Sequence, residues 1–392
     1  MIARRTVICL GLSQLICWGV SYYLIGIFGE AIAAEMRWTR PLVYGGFSAA
    51  LVVMGVTSPL TGSFIDRYGG RRVMVAGSVL IALGCAVLAA ATSIAIYYAA
   101  WLCLGVAMRL TLYEAAFASL ARIGGPQARR PIAQVTLFGG LASTTFWPIG
   151  HALADLAGWR GAVLVYAGFA LLTIPLHLAI PDTRFDARSP AAAFPGAAEP
   201  PAKVRRPLLT ASLYATIAIL ASFLNSGMSA HMIPILAGLG LAASASVWIA
   251  TLRGVGQSLA RLSDVLFGGG LNPLQLNLIA ALILPVAFAI GLLSGDAMIA
   301  AIAFAFGYGA GNGIATITRG TLPLVLFDVG SYGALTGRLL VPSFLLAALA
   351  PTGYALVIDR FSEIGALVFS FILAALLLAA SLVLQALFRS GD

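Results

Sequence analysis

Long apolar segments alternate with short polar ones along the whole chain. Each apolar segment reaches the roughly 20 residues that a helix needs to cross a bilayer. Strict alternation of apolar and polar residues, which a transmembrane β-barrel requires, is absent from these segments. The pattern therefore predicts twelve transmembrane helices, called spans 1 to 12 in chain order: 6–28, 39–62, 73–91, 95–120, 132–156, 161–180, 208–235, 245–266, 274–293, 297–322, 333–357 and 364–388.

The longest polar segment, 181–207, divides the spans into two groups of six. It carries six prolines and charges of both signs. Such a composition cannot form a packed core and is typical of a linker. We therefore expect a six-helix bundle at 1–180, a cytoplasmic linker at 181–207 and a second six-helix bundle at 208–392. Shifting the sequence by 198 residues places Asp264 on Asp66, a weak internal repeat of the kind found in duplicated transporters.

Composition agrees with an all-α membrane protein. Hydrophobic residues make up 60% of the chain and charged residues 9%, and the mean hydropathy is +0.98. The basic residues lie in short clusters between apolar segments, which indicates orientation in a membrane rather than binding to nucleic acid. With both termini in the cytoplasm, 16 of the 23 basic residues fall on the cytoplasmic side of an inner (plasma) membrane: Arg4, Arg5, Arg67, Arg71, Arg72, Arg122, Arg129, Arg130, Arg184, Arg188, Lys203, Arg205, Arg206, Arg261, Arg338 and Arg389.

No pattern of a cofactor site or of an enzyme active site can be assembled. The four cysteines all lie in apolar segments, without a Cys-x-x-Cys pair, so neither a disulfide framework nor a thiolate zinc site is expected. No nucleophile–base pair and no phosphate-binding loop is found, which argues against an enzyme and against ATP-driven pumping.

The turn between spans 2 and 3 carries a spaced motif. Two antiparallel spans joined by so short a turn must be neighbours, and its arginines favour the cytoplasmic side. The motif resembles the loop 2–3 signature of the major facilitator superfamily at each fixed position: Gly62, Asp66, Arg67, Gly69, Arg71 and Arg72. This resemblance implies the major facilitator fold, a monomer, and alternating access around a central site formed chiefly by spans 1, 4, 7 and 10.

Two shorter motifs point to a subfamily. Trp38-Thr39-Arg40 opens span 2, and Gly158-Trp159-Arg160 opens span 6. Both are similar to motifs of bacterial monocarboxylate-transporter-type facilitators. Drug antiporters of the superfamily carry an arginine four residues before a glycine in span 4, whereas here Trp101 precedes Gly105. This mismatch argues against efflux of drugs or other hydrophobic compounds, which is kept only as an alternative function.

Four ionisable residues lie deep within spans: Arg109, Glu114, Arg253 and Arg319. A charge at the bilayer centre costs at least ~2.5–3.5 kcal/mol on insertion scales, so each is a candidate functional residue. Alternatively, Arg109 and Glu114 each pair with a different helix and serve only to hold the bundle together. The alternative for Arg319 is a side chain that extends to the lipid headgroups. Arg253 is too deep for that.

If all four side chains face one cavity, three arginines against one glutamate predict that this cavity attracts anions, and an arginine there can hold a carboxylate with two hydrogen bonds. The hypothesis is a carrier of a small organic anion whose transport is coupled to the proton gradient through protonation of Glu114. Its expected partners are the small-molecule substrate, protons and the lipid bilayer. Aromatic and amide side chains of spans 1, 4 and 7 are candidates for the cavity wall: Tyr22, Tyr113 and Asn225.

A metal site is a further alternative. Met228 and Met232 share a face of span 7, and His231 lies close to that face. Thioether and imidazole ligands suit copper(I), and the group resembles part of a Met-x-x-x-Met feature of bacterial copper-importing facilitators. The companion His-x-x-x-Met of span 8 is missing.

The turn motif also suggests a conformational latch. Span 11 is expected to begin near Tyr332 on the cytoplasmic side, so its positive N-terminal end faces the layer that holds Asp66. We expect the Asp66 carboxylate to dock there, surrounded by Arg67, Arg71 and Arg72. Its counterpart Asp264, with Arg261, is expected to dock against the start of span 5.

Overall fold

The computed structural model describes residues 2–185 and 206–389, and within these ranges the chain is helical and contains no strand. Most of the predicted linker, 186–205, lies outside the described residues. The α-helices are α1 Arg4–Cys17, α2 Leu24–Met36, α3 Arg40–Tyr68, α4 Gly70–Ala89, α5 Ile94–Thr111, α6 Tyr113–Gly124, α7 Arg129–Gly140, α8 Ala142–Leu178, α9 Pro207–Gly238, α10 Ala243–Phe267, α11 Pro273–Gly291, α12 Met298–Leu326, α13 Tyr332–Leu339 and α14 Val341–Arg389. A π-helical turn, Trp18–Tyr22, joins α1 to α2.

Eight helical stretches of the described residues are long and apolar enough to cross a membrane. Two of them, Ile94–Leu178 and Val329–Phe388, contain 85 and 60 residues. Both far exceed the roughly 20 residues of one crossing, and both are interrupted. The first breaks at Leu112, which is extended, and at Gly158 (φ 67°). The second breaks at Ser362 (φ 64°). An all-helical, multi-pass membrane protein is confirmed, and the count of twelve crossings stays a prediction.

The described residues form two compact units. The first unit contains the residues up to Phe185 together with the segment Asp328–Val341. In it α4 packs on α5 and α8, α3 packs on α5, and α1 packs on α7 and α8. At its Gly158 break, the Arg160 guanidinium lies 2.7 Å from the Glu35 carboxylate, and Arg160 also donates to the Ala89 carbonyl. This contact ties α2, α4 and α8 together.

The segment Asp328–Val341 packs on α3, although chain order predicts it in the second bundle. Glycines permit this approach: a Cβ on Gly62 would collide with the Gly333 carbonyl, and one on Gly333 would strike the Gly62 carbonyl. Backbone therefore meets backbone where α13 crosses α3.

The second unit contains residues 206–327 and 342–389. In it α12 packs against α10 and α11, and α9 contacts both α10 and α12. A Cβ on Gly309 of α12 would collide with the Arg253 backbone of α10. The backbones of α10 and α12 therefore lie close together at Arg253.

Candidate functional site

Arg253 lies among neutral polar groups of the second unit. Its Nη2 donates to Asn225 Oδ1 (2.6 Å) and to Ser229 Oγ (2.8 Å), both on α9. Its guanidinium carbon lies 5.5 Å from the centre of the Tyr308 ring of α12. The residue is partly exposed. Two predicted site residues, Arg253 and Asn225, are thus in direct contact.

Asn225 connects Arg253 to α12. Its Oδ1 also accepts a hydrogen bond from Asn312 Nδ2 at 2.8 Å. Sequence reasoning missed Asn312. The available signal was an amide in an apolar span, seven residues before Arg319 and hence on the same helical face. The three helices α9, α10 and α12 therefore meet at the Asn225 side chain.

Arg319 of α12 contacts α9 at another level. Its Nη1 donates to Ser222 Oγ at 3.1 Å, and its Nη2 lies 3.5 Å from Ser343 Oγ of α14. Its guanidinium carbon is 5.2 Å from the centre of the Phe344 ring. The guanidinium therefore bonds to neighbouring helices, in contrast to the alternative in which it extends to the headgroups.

One face of α9 carries a run of polar residues, three of which hold the two arginines: Ser222, Asn225 and Ser229. These side chains follow a spacing of three and four residues, which places them in one stripe along the helix. We call this set the α9 polar stripe: Ser222, Asn225, Ser226 and Ser229.

Arg109 takes a structural position in the first unit. It is 2% exposed, its Nε donates to Ser58 Oγ at 2.9 Å, and its Nη2 lies 3.4 Å from the Ser58 carbonyl oxygen. These bonds join α5 to α3. This geometry favours the alternative in which Arg109 holds helices together over the expected contact with substrate.

Tyr22 and Tyr113 belong to an aromatic cluster around Trp18, a residue that sequence reasoning missed. The Trp18 ring lies 4.8 Å from that of Tyr22 and 4.9 Å from that of Tyr113, between centroids. Tyr113 also stacks on Phe117 and donates to the Thr136 carbonyl at 3.0 Å. Tyr113 is 7% exposed, whereas Tyr22 is partly exposed. Of the two, only Tyr22 offers an appreciable surface to a substrate.

Glu114 lies in the first turn of α6, directly after the break at Leu112. The sequence predicts one continuous helix here, because neither proline nor glycine marks the break. The first turn of a helix carries N–H groups that lack intrahelical partners, which makes it a favourable position for an acidic side chain. The residue is partly exposed.

The Asp66 carboxylate caps the start of α13. Its Oδ1 accepts from the Gly333 N–H (3.0 Å) and its Oδ2 from the Ala334 N–H (2.7 Å). Asp66 therefore docks at the helix start near Tyr332, as the sequence predicts.

The arginines around Asp66 differ from the expected ones. Arg122 Nε donates to the Asp66 carbonyl at 3.3 Å, and Arg184 holds the neighbouring Gly330 carbonyl at 3.0 Å. Arg71 instead donates to the Ile180 carbonyl (2.6 Å), Arg72 lies 3.9 Å from Asp182, and Arg67 lies over the Tyr68 ring. The expected ring of Arg67, Arg71 and Arg72 is corrected to Arg122 and Arg184, which chain folding brings in from distant positions.

The second-half counterparts lie at the end of α10. Arg261 is 3% exposed, and the Asp264 carboxylate lies where a Cβ on Gly268 would be. Gly268 follows the last residue of α10. Asp264 thus packs closely against the turn that ends its own helix.

The candidate metal ligands are engaged in packing. Met228 and Met232 are 0% and 3% exposed. His231 Nε2 lies 2.8 Å from the Pro351 carbonyl oxygen, and its ring stacks on Tyr354. Within residues 2–185 and 206–389, no group of three or more His, Cys, Asp or Glu side chains is placed to hold a metal.

A buried histidine was also missed. His177 of α8 is fully buried, and its Nδ1 lies 2.8 Å from Ser78 Oγ, which in turn lies 2.7 Å from Thr173 Oγ1. These three side chains join α4 to α8. The position of His177 at the end of an apolar span gave no indication of this contact.

Long apolar helices that embed a few arginines define a multi-pass membrane protein. The chain belongs to the Major Facilitator Superfamily, whose family model matches residues 10–351, and it is therefore a transporter rather than an enzyme. This membership confirms the family that the turn motif indicated.

Curated relatives match part of the chain. Monocarboxylate transporter 1 of Mus musculus is 29% identical over 150 residues, which cover 38% of this chain and 28% of that protein. Monocarboxylate transporter 3 of Rattus norvegicus is 30% identical over 166 residues, covering 40% and 33% respectively. The chain thus matches a third or less of the length of these relatives.

Solved structures match nearly the whole chain. The human organic anion transporter MFSD10 (TETRAN) superposes with a TM-score of 0.74 at 19% identity, covering 96% of this chain and 99% of that one. The proton:xylose symporter XylE superposes with a TM-score of 0.75 at 14% identity, covering 97% and 95%. At these identities the likeness establishes the fold.

Proposed function

We propose that this protein is a secondary transporter of a small, monocarboxylate-like organic anion, and that it works by alternating access. In this proposal the chain crosses an inner (plasma) membrane twelve times with both termini in the cytoplasm. The partial similarity to monocarboxylate transporters supports the substrate class. The fold similarity to transporters supports the mode of action.

The observation that carries the proposal is the environment of Arg253. Among the described residues, both of its hydrogen bonds are made by Nη2 to neutral partners, Asn225 and Ser229. The rest of the guanidinium edge is therefore available for a carboxylate, which it can bind with two parallel hydrogen bonds. Partial exposure of the residue supports access by a ligand.

Proton coupling is assigned to Glu114 in this proposal. It is a partly exposed carboxyl group inside the long apolar stretch Ile94–Leu178. A carboxyl group in such a segment is a natural proton carrier, because its neutral form is compatible with the membrane interior.

The latch completes the cycle. Asp66 holds the start of α13 by two backbone hydrogen bonds, and α13 belongs to a segment from the second half of the chain. Release of that segment from α3 is the step that we assign to opening on the cytoplasmic side.

Uptake into proteoliposomes tests the proposal. With labelled lactate as probe and an inward proton gradient, we expect accumulation by the wild-type protein and loss of at least about tenfold in kcat/KM for Arg253→Gln, because a charged hydrogen-bonding partner is removed. Arg360→Gln, which alters an exposed arginine of the same unit, is the matched control.

Glu114→Gln separates coupling from binding. It should abolish gradient-driven accumulation while preserving exchange of labelled for unlabelled substrate. Undiminished accumulation in this variant would remove Glu114 from the coupling role, and unchanged uptake in Arg253→Gln would refute the assignment of the anion site.

A further inference from the structure

The break between α5 and α6 lies at Leu112, and the backbone hydrogen bonds change partners there. In a continuous helix the Ala115 N–H would donate to the Thr111 carbonyl, four residues earlier. Here it donates to the Leu112 carbonyl at 3.0 Å, and Leu112 is extended (ψ −169°). Thr111 is buried, and its carbonyl, which has lost the helical partner, needs another.

The side chain of Gln14, on α1, supplies that partner. Gln14 is 0% exposed, and its Nε2 donates to the Thr111 carbonyl at 2.7 Å. One turn further along α1, the Trp18 ring lies 4.9 Å from the Tyr113 ring, between centroids. α1 therefore contacts the chain on both sides of the break, and one of these contacts replaces a backbone hydrogen bond.

Packing alone does not explain a glutamine at position 14. Among the residues that the structure describes, Gln14 Oε1 has no hydrogen-bond partner. Burying an amide whose oxygen is unpaired costs free energy, so packing alone would favour an apolar side chain. Positions 111–114 contain neither proline nor glycine to interrupt the helix by themselves. The contact from Gln14 to Thr111 therefore keeps the helix open.

Resting on the proposed coupling role of Glu114, we infer that Gln14 is a positioning residue for proton coupling. Successive residues of a helix are rotated by about 100°, so a break redirects each side chain that follows it. Glu114 lies two residues after Leu112, in the first turn of α6. By holding the break open, Gln14 sets the direction of this carboxyl group.

Gln14→Met tests this role, because methionine has a similar length and cannot donate a hydrogen bond. Gln14→Leu is a second variant of the same kind. Gln385→Met is the matched control: Gln385 is 9% exposed, its Oε1 is also unpaired among the described residues, and it lies within α14. The full chain is studied by hydrogen–deuterium exchange of segment 111–116 in lipid nanodiscs and by uptake of labelled lactate into proteoliposomes.

Both Gln14 variants should slow deuterium uptake at 111–116 by at least about tenfold, because the Thr111 carbonyl regains its helical partner and α5 joins α6. Gradient-driven lactate uptake should also fall by at least about tenfold, while KM for exchange of labelled for unlabelled lactate stays within about twofold. Gln385→Met should leave all three quantities unchanged.

A proline separates the break itself from the loss of the amide. In Tyr113→Pro the preceding residue, Leu112, is kept extended, and proline is favourable as the first residue of a helix. In this background the break no longer depends on Gln14, so Gln14→Met should reduce lactate uptake by less than about twofold.

Unchanged or faster deuterium uptake in the Gln14 variants would overturn the inference. So would an equal loss of lactate uptake in Gln385→Met, or an undiminished effect of Gln14→Met in the Tyr113→Pro background. If deuterium uptake slows but lactate uptake is unchanged, the positioning role fails while the proposed function stands. If Glu114→Gln still accumulates lactate, the proposed coupling fails, and slowed deuterium uptake still shows that Gln14 holds the break. The deuterium result decides the matter even if Tyr113→Pro transports too slowly to measure.

Discussion

Asp66 accepts hydrogen bonds from two consecutive backbone N–H groups at the start of α13, at 3.0 Å from Gly333 and 2.7 Å from Ala334. The carboxylate uses one oxygen for each N–H, an arrangement that an amide cannot reproduce. Because these N–H groups open a helix, they have no intrahelical partner and benefit from a negative charge. This contact links the most recognisable motif of the sequence to the segment that packs on α3.

Asp66→Asn should release this segment. The amide NH2 would oppose one of the two N–H groups, and charge-assisted hydrogen bonds exceed neutral ones by about 1–2 kcal/mol, equivalent to roughly a tenfold change in population. Thr336 of α13 is 4% exposed, so a cysteine there reports undocking. In a background without the four native cysteines, thiol labelling of Thr336→Cys should accelerate about tenfold in Asp66→Asn. Asp359→Asn, which alters an exposed acid, is the control. Equal labelling rates in both would refute the latch.

Gly62→Ala tests the close approach of the two backbones. The added methyl group would collide with the Gly333 carbonyl, and overpacking of this kind costs about 1–3 kcal/mol. We expect a lower thermal unfolding midpoint and faster labelling of Thr336→Cys. Gly168→Ala is a matched control, because nothing lies within 4 Å of the position of its Cβ. Equal unfolding midpoints and equal labelling rates in the two alanine variants would show that the close approach at Gly62 does not hold α13 on α3.

Arg109 is expected to act on stability rather than on affinity. Its bonds to Ser58 are buried, and loss of a hydrogen bond to a charged group costs about 1.5–3 kcal/mol. Ser58→Ala and Arg109→Gln should therefore each lower the thermal midpoint and leave KM for transport unchanged. A large increase in KM without a change in the midpoint would instead place Arg109 at the substrate.

The contrast between Arg109 and Arg253 shows where prediction of site residues from the sequence reaches its limit. Both are arginines in apolar spans, and hydropathy alone ranks them equally. Only packing shows that one is buried against Ser58 while the other keeps an accessible edge beside Asn225. The class of protein was predictable, because helix length and the turn motif are local properties of the chain.

Contacts between distant residues were harder to predict. Asn312 and Ser222 lie in apolar spans, where single polar residues are common and carry little signal. Arg122 and Arg184 reach the surroundings of Asp66 through folding, whereas the neighbouring Arg71 and Arg72 turn to other partners. Proximity in sequence was therefore a poor guide to which arginines surround Asp66.

Asn312 should position Arg253 through Asn225. Asn225 Oδ1 accepts from both Asn312 Nδ2 and Arg253 Nη2, so the two donors fix the orientation of its amide. Asn312→Ala removes one donor and permits the amide to turn, which should weaken carboxylate binding about three- to tenfold, since one hydrogen bond contributes about 0.5–1.5 kcal/mol.

A double-mutant cycle distinguishes this positioning role from a general loss of stability. In the Arg253→Gln background, Asn312→Ala should add almost nothing to the loss of affinity, because the two residues act through one shared partner. Thr316→Ala, one turn further along α12, serves as the control for the helix itself. Additive losses of affinity from Asn312→Ala and Arg253→Gln would show that Asn312 acts independently of Arg253, and the positioning role would then be wrong.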